Sequence, residues 1–364
     1  MNASQQLHAL GQSLWLDNIS RDLLDSGTLQ RYCAELSVTG LTSNPSIFEQ
    51  AIGRGTAYDA AIRQKSAAGK TGEALFFELA LEDLTRAATI FQPLHAASGG
   101  LDGWVSLEVS PLLADDAAAT LAEAKRLHAQ AACPNLLIKI PGTPAGVKAI
   151  EEAIFAGVPV NVTLLFSREQ YIAAADAYWR GIQRRIEAGL DPRVVSVASI
   201  FISRWDVAVA GQVPANLGNQ LGIAIARRIY KAACQRQGYS AWKKFAAAGA
   251  LPQRLLWAST GTKDPQMRDT LYVEALAAPG TINTLPEKTL LAFADHGELK
   301  GVMPEDGGDA EGVLADFALA GIDIAALATR LQRDGALSFV KSWTDLLAAI
   351  SEKCRPLTPG VPAP

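Results

Sequence analysis

The 364-residue sequence lacks both a basic surplus and a long apolar run. Its 33 Lys and Arg residues are outnumbered by 37 Asp and Glu residues. A nucleic-acid surface needs clustered positive charge, and a membrane-spanning helix needs ~20 mainly apolar residues. The N-terminal stretch also lacks the basic and apolar regions of a signal peptide. The sequence therefore predicts a cytoplasmic protein with no nucleic-acid partner and no membrane partner.

Cysteine and histidine are scarce, with four of each. No Cys-x-x-Cys pair occurs, and the spacing of the cysteines favours reduced thiols. No histidine sits beside a carboxylate at a metal-ligand spacing, which argues against a metal-dependent hydrolase. We expect neither a metal nor another cofactor. The cysteines are Cys33, Cys133, Cys234 and Cys354.

With 49% hydrophobic and 19% charged residues, the chain has ample material for a large core. About eight strand patterns alternate with helical patterns, which is typical of the α/β class and of a (β/α)₈ TIM barrel. Length alone would suit two domains, but such barrels reach this length as one. The predicted strands cover residues 14–19, 38–46, 103–110, 135–142, 158–166, 194–201, 254–260 and 279–287.

A helical appendage follows the predicted barrel. Residues 309–352 form two or three amphipathic patterns that we expect to be joined at Gly321 and Gly335. We assign residues 1–352 to one barrel domain that includes these C-terminal helices. The Pro-rich tail 353–364 is expected to be disordered, either as a plain terminus or as a linker to a further module.

The segment 135–142, NLLIKIPG, is a predicted buried strand that contains one charged residue, Lys139. The period of two sends Lys139 to the face opposite its isoleucine neighbours. The active site of a barrel enzyme lies at the carboxyl ends of its strands. A lysine amine that loses hydration there can attack a carbonyl as a nucleophile. Taken alone, a lysine that reaches out to solvent is the commoner case.

Further polar residues occur late in the predicted strands, on the face opposite the aliphatic one. Six such positions on successive strands are hard to explain as six independent buried polar groups, so they favour a catalytic lysine in a barrel active site. They are Asp17, Asn44, Glu108, Lys139, Asn161 and Thr163.

These groups suit Schiff-base chemistry on a ketone. Glu108 could hold a water and shuttle protons to the carbinolamine, while Asp17 could take the hydroxyl proton that triggers C–C cleavage. Cations after late strands, Arg204 and Lys263, could bind a phosphate. A surface salt bridge is the plainer explanation for each cation alone.

At this point the chain resembles transaldolases over nearly its whole length. The strongest matches are LTSNPS at 41–46 and LLIKIPGTPAG at 136–146, the segment around the family's Schiff-base lysine. Supporting matches are LWLDNI, SLEVSP, NVTLLF and SIFISRWD. The resemblance implies a class I barrel without a cofactor, acting on sugar phosphates as a monomer or homodimer in the non-oxidative pentose phosphate pathway.

The resemblance also implies residue roles. Lys139 would form the Schiff base, Asp17 would act at the C4 hydroxyl, and Glu108 with Thr163 would hold the catalytic water. Asn44 and Asn161 would bind the dihydroxyacetone unit. At the substrate-phosphate end the matching residues are Ser199, Phe201, Arg204 and Ser259.

The chain departs from the family pattern after the seventh strand. Many transaldolases carry Ser-x-Arg there, whereas this chain has Ser259-Thr260-Gly261-Thr262-Lys263. Lys263 could replace the arginine. We therefore expect transfer of a dihydroxyacetone unit from sedoheptulose 7-phosphate or fructose 6-phosphate to glyceraldehyde 3-phosphate or erythrose 4-phosphate.

Two alternatives remain open at the level of sequence. One is a class I aldolase that releases free dihydroxyacetone. Phe201 argues against it, because it matches a family position where an aromatic residue accompanies transfer. The other is a non-catalytic sugar-phosphate-binding barrel, which would not need the set of Lys139, Asp17 and Glu108.

Overall fold

Eight parallel strands form a closed barrel in a computed structural model, which describes residues 1–354. Each strand pairs with its successor in the chain, and the eighth pairs with the first. The predicted (β/α)₈ TIM barrel is therefore confirmed. The strands are β1 Ser13–Leu16, β2 Val38–Thr42, β3 Val105–Glu108, β4 Leu136–Pro141, β5 Val160–Leu165, β6 Ser196–Phe201, β7 Arg254–Ala258 and β8 Ile282–Leu285.

The helices surround this barrel and cross its ends. Apolar side chains on the outer strand faces pack against them in one continuous core. The helices are α1 Ala3–Ala9, α2 Arg21–Asp25, α3 Thr28–Leu36, α4 Pro45–Arg54, α5 Asp59–Ala67, α6 Gly72–Ala97, α7 Ala117–Ala131, α8 Pro144–Phe155, α9 Arg168–Glu187, α10 Ser203–Val209, α11 Leu221–Gln237, α12 Ser240–Ala247, α13 Leu271–Ala275, α14 Glu287–His296, α15 Ala310–Leu319 and α16 Ile324–Cys354.

The helical spacing of the sequence predicts helices over 20–36 and 202–236, and a long helical segment over 47–97 with a break near Gly69–Gly72; the structure divides all three. The segment 20–36 contains α2 and α3, and 47–97 contains α4 to α6. The segment 202–236 contains α10 and α11 with a short 3₁₀ turn between them. Gly27, the residue before α3, has φ of +72°, a left-handed conformation that interrupts a right-handed helix. The predicted break near Gly69–Gly72 is confirmed, because α5 ends at Ala67 and α6 begins at Gly72. Apolar spacing continues across the other breaks, so the pattern alone did not reveal them.

The C-terminal appendage differs from the prediction in one respect. Gly321 lies between α15 and α16 as expected, but Gly335 lies inside α16, which is continuous over 31 residues. The prediction of a break at Gly335 is therefore wrong. Helix α16 also includes Lys353 and Cys354, which we had assigned to the tail. The rest of the tail, 355–364, lies outside the described residues, and the assignment of 1–352 to one domain stays a prediction.

No single helix within residues 1–354 is long and apolar enough to cross a membrane. Only α15 and α16 taken together reach that length and apolarity, and they meet at a bend of 92°.

A polar cluster closes the amino end of the barrel. Arg254, the first residue of β7, donates from Nη2 to Ser13 Oγ at 2.7 Å and to the Thr281 carbonyl at 2.9 Å. Asp102 accepts hydrogen bonds from Ser13 and from Trp15 Nε1. Because these buried groups satisfy one another, they form a hydrogen-bonded floor at this end of the barrel.

A buried carboxylate ties three elements together beside β6. Asp206 in α10 accepts hydrogen bonds from the backbone N–H groups of Leu221 and Gly222 at the start of α11, at 2.9 and 3.2 Å. It also accepts one from the Tyr272 hydroxyl of α13 at 2.8 Å. Burial raises the pKa of Asp206 to about 6, although these hydrogen bonds oppose the shift.

The raised pKa of Asp206 predicts a pH-dependent stability. A folded-state pKa above the ordinary value stabilises the fold at low pH, and this contribution is lost as the pH rises from 3.8 through about 6. The free energy of unfolding of the native protein, relative to that of Asp206→Asn, should fall by roughly 3 kcal/mol at most over this range. Urea denaturation at several pH values measures this difference.

The comparison between the two proteins isolates Asp206, because every other carboxylate titrates in both and cancels. A stability difference that stays constant across the range would contradict the assignment of the raised pKa.

Candidate active site

A cavity of about 240 Å³ opens at the carboxyl end of the barrel. Nine of the eleven residues that the sequence predicted for the site border it: Asp17, Asn44, Lys139, Thr163, Ser199, Phe201, Arg204, Ser259 and Lys263. The other two, Glu108 and Asn161, do not border the cavity but contact residues that do. The fold thus brings together side chains from seven strands or the loops that follow them.

Lys139 lies in β4 and is only 5% exposed. Its Nζ donates a hydrogen bond to the Ser43 carbonyl at 3.1 Å and lies 3.2 Å from Glu108 Oε2. The strand register explains this position, because Lys139 pairs with Glu108 on β3 and with Asn161 on β5. The lysine therefore points into the barrel, as the polar positions on the neighbouring strands predicted, and does not reach out to solvent.

The two carboxylates near the lysine are poised to hold protons. Burial raises the pKa of Glu108, and the positive charges of Lys139 and Arg204 only partly offset this. Burial also raises the pKa of Asp17, against the attraction of Lys139 and a hydrogen bond of 2.7 Å from the Thr42 hydroxyl. Carboxyl groups with raised pKa values can donate and accept protons at the pH where the enzyme works.

Thr163 and Asn161 stand side by side on the inner face of β5 but differ in their contacts. Both polar atoms of the Asn161 amide form hydrogen bonds: Nδ2 donates to Ser106 Oγ at 3.1 Å, and Oδ1 accepts from Ser199 Oγ at 2.7 Å. The buried Thr163 hydroxyl has no hydrogen-bond partner within residues 1–354, and Glu108 Oε2 likewise lacks a well-aligned one. Buried polar groups without a partner call for an explanation, and an ordered water held by the site is one.

Asn44 is fixed by its role at the start of α4. Its Oδ1 accepts hydrogen bonds from the backbone N–H groups of Ser46 and Ile47 at 3.0 and 3.1 Å, which makes it the N-cap of the helix. Pro45 at the first helical position suits this start. The cap uses the oxygen of the amide, and within residues 1–354 its NH₂ group has no hydrogen-bond acceptor, while Asn44 itself borders the cavity.

The phosphate end of the predicted site contains two cations. Arg204 is half-buried, and within the described chain it forms neither an ion pair nor a hydrogen bond, although burial lowers its pKa. Its guanidinium lies 5.0 Å from the Phe201 ring centroid. Lys263 is exposed and borders the same cavity. Its Nζ lies close to Gly261, which also borders the cavity. Both cations are thus placed to bind an anion.

Sequence reasoning missed four residues that border the cavity and have side chains able to contact a ligand. Thr42 and Ser46 both belong to the motif LTSNPS and could have been selected from it. Thr284 lies near the end of β8. Phe339 belongs to α16, far along the chain from every strand. No local signal identifies Phe339, because only the packing of the appendage brings it to the site.

The arrangement suits covalent catalysis by an amine. Within residues 1–354, no group of three or more His, Cys, Asp or Glu side chains is placed to hold a metal ion. A buried lysine beside one carboxyl group, with a second carboxyl group across the cavity, can form and use a Schiff base. The fold and the site are those of a TIM-barrel protein with a buried lysine and two carboxyl groups at the carboxyl end of its strands, an arrangement that suits a lysine-dependent aldolase.

The comparisons with known proteins specify this class further. The model of the family described as Transaldolase/Fructose-6-phosphate aldolase matches residues 14–350. A transaldolase of Arthrobacter sp. is 44% identical over 95% of this chain and 96% of its own length. A transaldolase of Thiobacillus denitrificans is also 44% identical, over 96% of this chain and 100% of its own. A transaldolase of Neisseria meningitidis is 41% identical over 96% of this chain.

The chain belongs to the transaldolase/fructose-6-phosphate aldolase family. The predicted family, its transferase chemistry and its sugar-phosphate substrates are confirmed at this level.

Because the Thr163 hydroxyl has no hydrogen-bond partner within residues 1–354, removing it should affect stability and activity in different ways. Thr163→Val keeps the shape but removes an unsatisfied buried hydroxyl, so it should leave stability unchanged or raise it by up to about 1 kcal/mol. Schiff-base formation should slow, because the hydroxyl can no longer hold a water. Chemical denaturation and single-turnover kinetics measure the two effects.

The matched control is Thr42→Val. Thr42 Oγ1 hydrogen-bonds to Asp17 at 2.7 Å and to Thr284 at 2.6 Å, so its loss should destabilise the fold by about 1–2 kcal/mol. Equal destabilisation by the two substitutions would show that Thr163 is not an unsatisfied group.

Proposed function

We propose that this chain transfers a dihydroxyacetone unit from fructose 6-phosphate or sedoheptulose 7-phosphate to erythrose 4-phosphate or glyceraldehyde 3-phosphate, with Lys139 as the Schiff-base nucleophile. The observation that carries the proposal is the buried Lys139–Glu108 pair, with 3.2 Å between Nζ and Oε2, at the edge of a polar cavity. A binding protein would gain nothing from burying an amine there, because desolvation of the charge is costly.

The first half of the reaction forms the iminium. The Lys139 amine adds to the donor's C2 carbonyl, and the carbinolamine loses its hydroxyl as water. Glu108 is the group that accepts the amine's proton and delivers one to the departing hydroxyl, through a water that it holds with Thr163. Support comes from the raised pKa of Glu108 and from the buried Thr163 hydroxyl, which has no hydrogen-bond partner within residues 1–354.

The second half breaks and remakes a C–C bond. Asp17 takes the C4 hydroxyl proton, the C3–C4 bonding electrons move toward the iminium nitrogen, and the first aldehyde leaves. The remaining enamine attacks the acceptor aldehyde, whose oxygen is protonated by Asp17. Hydrolysis then frees the product and Lys139. Asp17 suits this role because it borders the cavity and has a raised pKa.

The remaining predicted residues would orient the substrate. The free NH₂ group of Asn44 would bind a hydroxyl of the dihydroxyacetone unit. Asn161 would act through Ser199, which borders the cavity. The Ser199 hydroxyl donates a hydrogen bond to Asn161 Oδ1. Arg204, Lys263 and Ser259 would bind the phosphate. Within residues 1–354 neither cation has an ion-pair or side-chain hydrogen-bond partner, and Ser259 Oγ is held 2.9 Å from Ser203 Oγ.

We also propose a cytoplasmic location and a monomer or homodimer. All four cysteines are free thiols in the structure, in keeping with a reducing compartment. Residues 1–352 would act as one domain, because α16 packs on the barrel and on α4.

The second candidate function is an aldolase that releases dihydroxyacetone. It differs only in the fate of the enamine, which would be protonated instead of attacking an acceptor. A coupled assay with and without erythrose 4-phosphate distinguishes the two. Phe201, whose ring lies 5.0 Å from Arg204, favours transfer because it offers no hydroxyl to protonate the enamine.

Trapping of the intermediate tests the lysine. Borohydride with fructose 6-phosphate should fix a three-carbon adduct on the peptide that contains Lys139, as read by peptide mass mapping. Lys139→Arg should abolish turnover, because a guanidinium stays protonated and cannot attack the carbonyl. An adduct on Lys148 or Lys263 would refute the assignment.

The two carboxylates should fail at different steps. Glu108→Gln should slow formation of the Schiff base itself, whereas Asp17→Asn should form it but fail to cleave the donor. The uncleaved six-carbon adduct would then be trapped in Asp17→Asn. Each loss should cost ~10²–10⁴-fold in single-turnover rate. A dominant three-carbon adduct in Asp17→Asn would exclude Asp17 from the cleavage step.

Lys263 should act on the phosphate. Lys263→Ala should mainly raise KM for phosphorylated donors and leave the slow reaction of free dihydroxyacetone nearly unchanged, because the latter has no phosphate to bind. The control is Lys300→Ala, an exposed lysine outside the site. Equal losses on both substrates would indicate a structural role for Lys263.

A further inference from the structure

Helix α16 lies over the carboxyl end of the barrel and presents one face to the site. Gln332, Gly335 and Phe339 share this face, because they are three and four residues apart. No sequence motif identified any of the three as a site residue, and the proposed mechanism does not use them.

Two of these residues hold the helix close to the strands. Gln332 Nε2 donates to the carbonyls of Gly142 and Leu164, at 3.0 and 2.9 Å. Both carbonyls lie at the ends of β4 and β5, and Leu164 is held at a φ of +58°. The amide of Gln332 thus ties α16 to the strands that carry Lys139 and Thr163.

Gly335 lets α16 approach the side-chain ends of Leu164 and Arg204 more closely than a residue with a Cβ would. A Cβ at this position would lie 2.9 Å from Leu164 Cδ2 and 3.1 Å from Arg204 Nη1. Contacts this short require one side to move. A glycine inside a helix also lowers its stability by roughly 0.5–1 kcal/mol relative to alanine. The close approach to Arg204 explains why a residue unfavourable for the helix stands here.

The third residue, Phe339, reaches the reacting groups. It is 5% exposed, and its ring centroid lies 5.6 Å from Lys139 Nζ and 6.0 Å from Arg204 Cζ. Arg204 also lies against the ring of Phe201. The space over the Lys139 amine is therefore covered by an aromatic ring that can neither hold a water nor donate a proton.

We propose that Phe339, carried by α16, is a specificity-determining residue that favours transfer over release of dihydroxyacetone. The inference rests on the proposed function, in which Lys139 carries the enamine. That enamine has two fates. Its C3 attacks the acceptor aldehyde to form a C–C bond, or C3 takes a proton from water and hydrolysis of the resulting iminium releases dihydroxyacetone and the Lys139 amine. Phe339 hinders the second fate by excluding water from this side of the enamine.

In this arrangement Gln332 and Gly335 are positioning residues. They set the distance between α16 and the strands β4 and β5. This distance in turn sets how far the Phe339 ring lies from Lys139. Gly335 also leaves room for the end of the Arg204 side chain, so the position of α16 affects the phosphate end of the cavity as well.

The test compares the two fates in the full-length enzyme. With fructose 6-phosphate as donor, released dihydroxyacetone is measured against sedoheptulose 7-phosphate formed from erythrose 4-phosphate. Phe339→Ala should raise the ratio of release to transfer on the order of tenfold. Phe339→Leu, which stays apolar, should keep the ratio near that of the native enzyme. The control is Leu337→Ala, an exposed position of the same helix.

Gly335→Ala provides a second route to the same result. It keeps the ring but lifts α16, so release should again increase relative to transfer, and KM for phosphorylated donors should rise because Arg204 is displaced. This variant keeps the proposal testable if Phe339→Ala does not fold.

Borohydride trapping on Lys139 separates the possible failures. An intact adduct with an unchanged ratio in both Phe339→Ala and Gly335→Ala would overturn the role of the aromatic cover. Absence of the adduct in the native enzyme would instead overturn the proposed function. A ratio raised as much by Phe339→Leu as by Phe339→Ala would show that shape, not exclusion of water, matters, and would also overturn the inference.

Discussion

The ion pair between Lys139 and Glu108 is the constraint on which the rest of the site depends. Burying both charges is costly, and the cost is tolerable only because each lies within reach of the other inside a closed barrel. The parallel register of β3 and β4 places the two residues opposite each other, so the pair follows directly from strand pairing. The barrel that builds this register therefore also builds the proton chemistry of the site.

The two ends of the barrel show how the fold separates stability from catalysis. At the amino end, Arg254 and Asp102 are surrounded by hydrogen-bond partners and form a floor. At the carboxyl end, Thr163 and Arg204 lack such partners within the described chain. Polar groups that find no partner in the protein are available to water and substrate, and this is where a barrel enzyme binds its ligand.

The appendage gives the site its cover. Helix α16 contacts the carbonyls of Gly142 and Leu164 through a single glutamine and approaches closely at Gly335. These contacts bring an aromatic ring over the amine without adding a polar group. The barrel thus supplies the reactive residues, and a helix outside the barrel pattern limits the access of water to them. Removing water in this way strengthens the electrostatic interactions of the site.

The sequence by itself determined the barrel, the inward lysine and most of the site, because strand periodicity and strand order fix which side chains meet at one end of a parallel barrel. The glycines at 69 and 72 revealed one break within the long helical segments, but the sequence could not reveal the others, since apolar spacing continues across them. The continuity of α16 through Gly335, and the arrival of Phe339 beside Lys139, were decided only by the tertiary structure. Local pattern carries no information about a contact between residues so distant in the chain, and such contacts depend on packing alone.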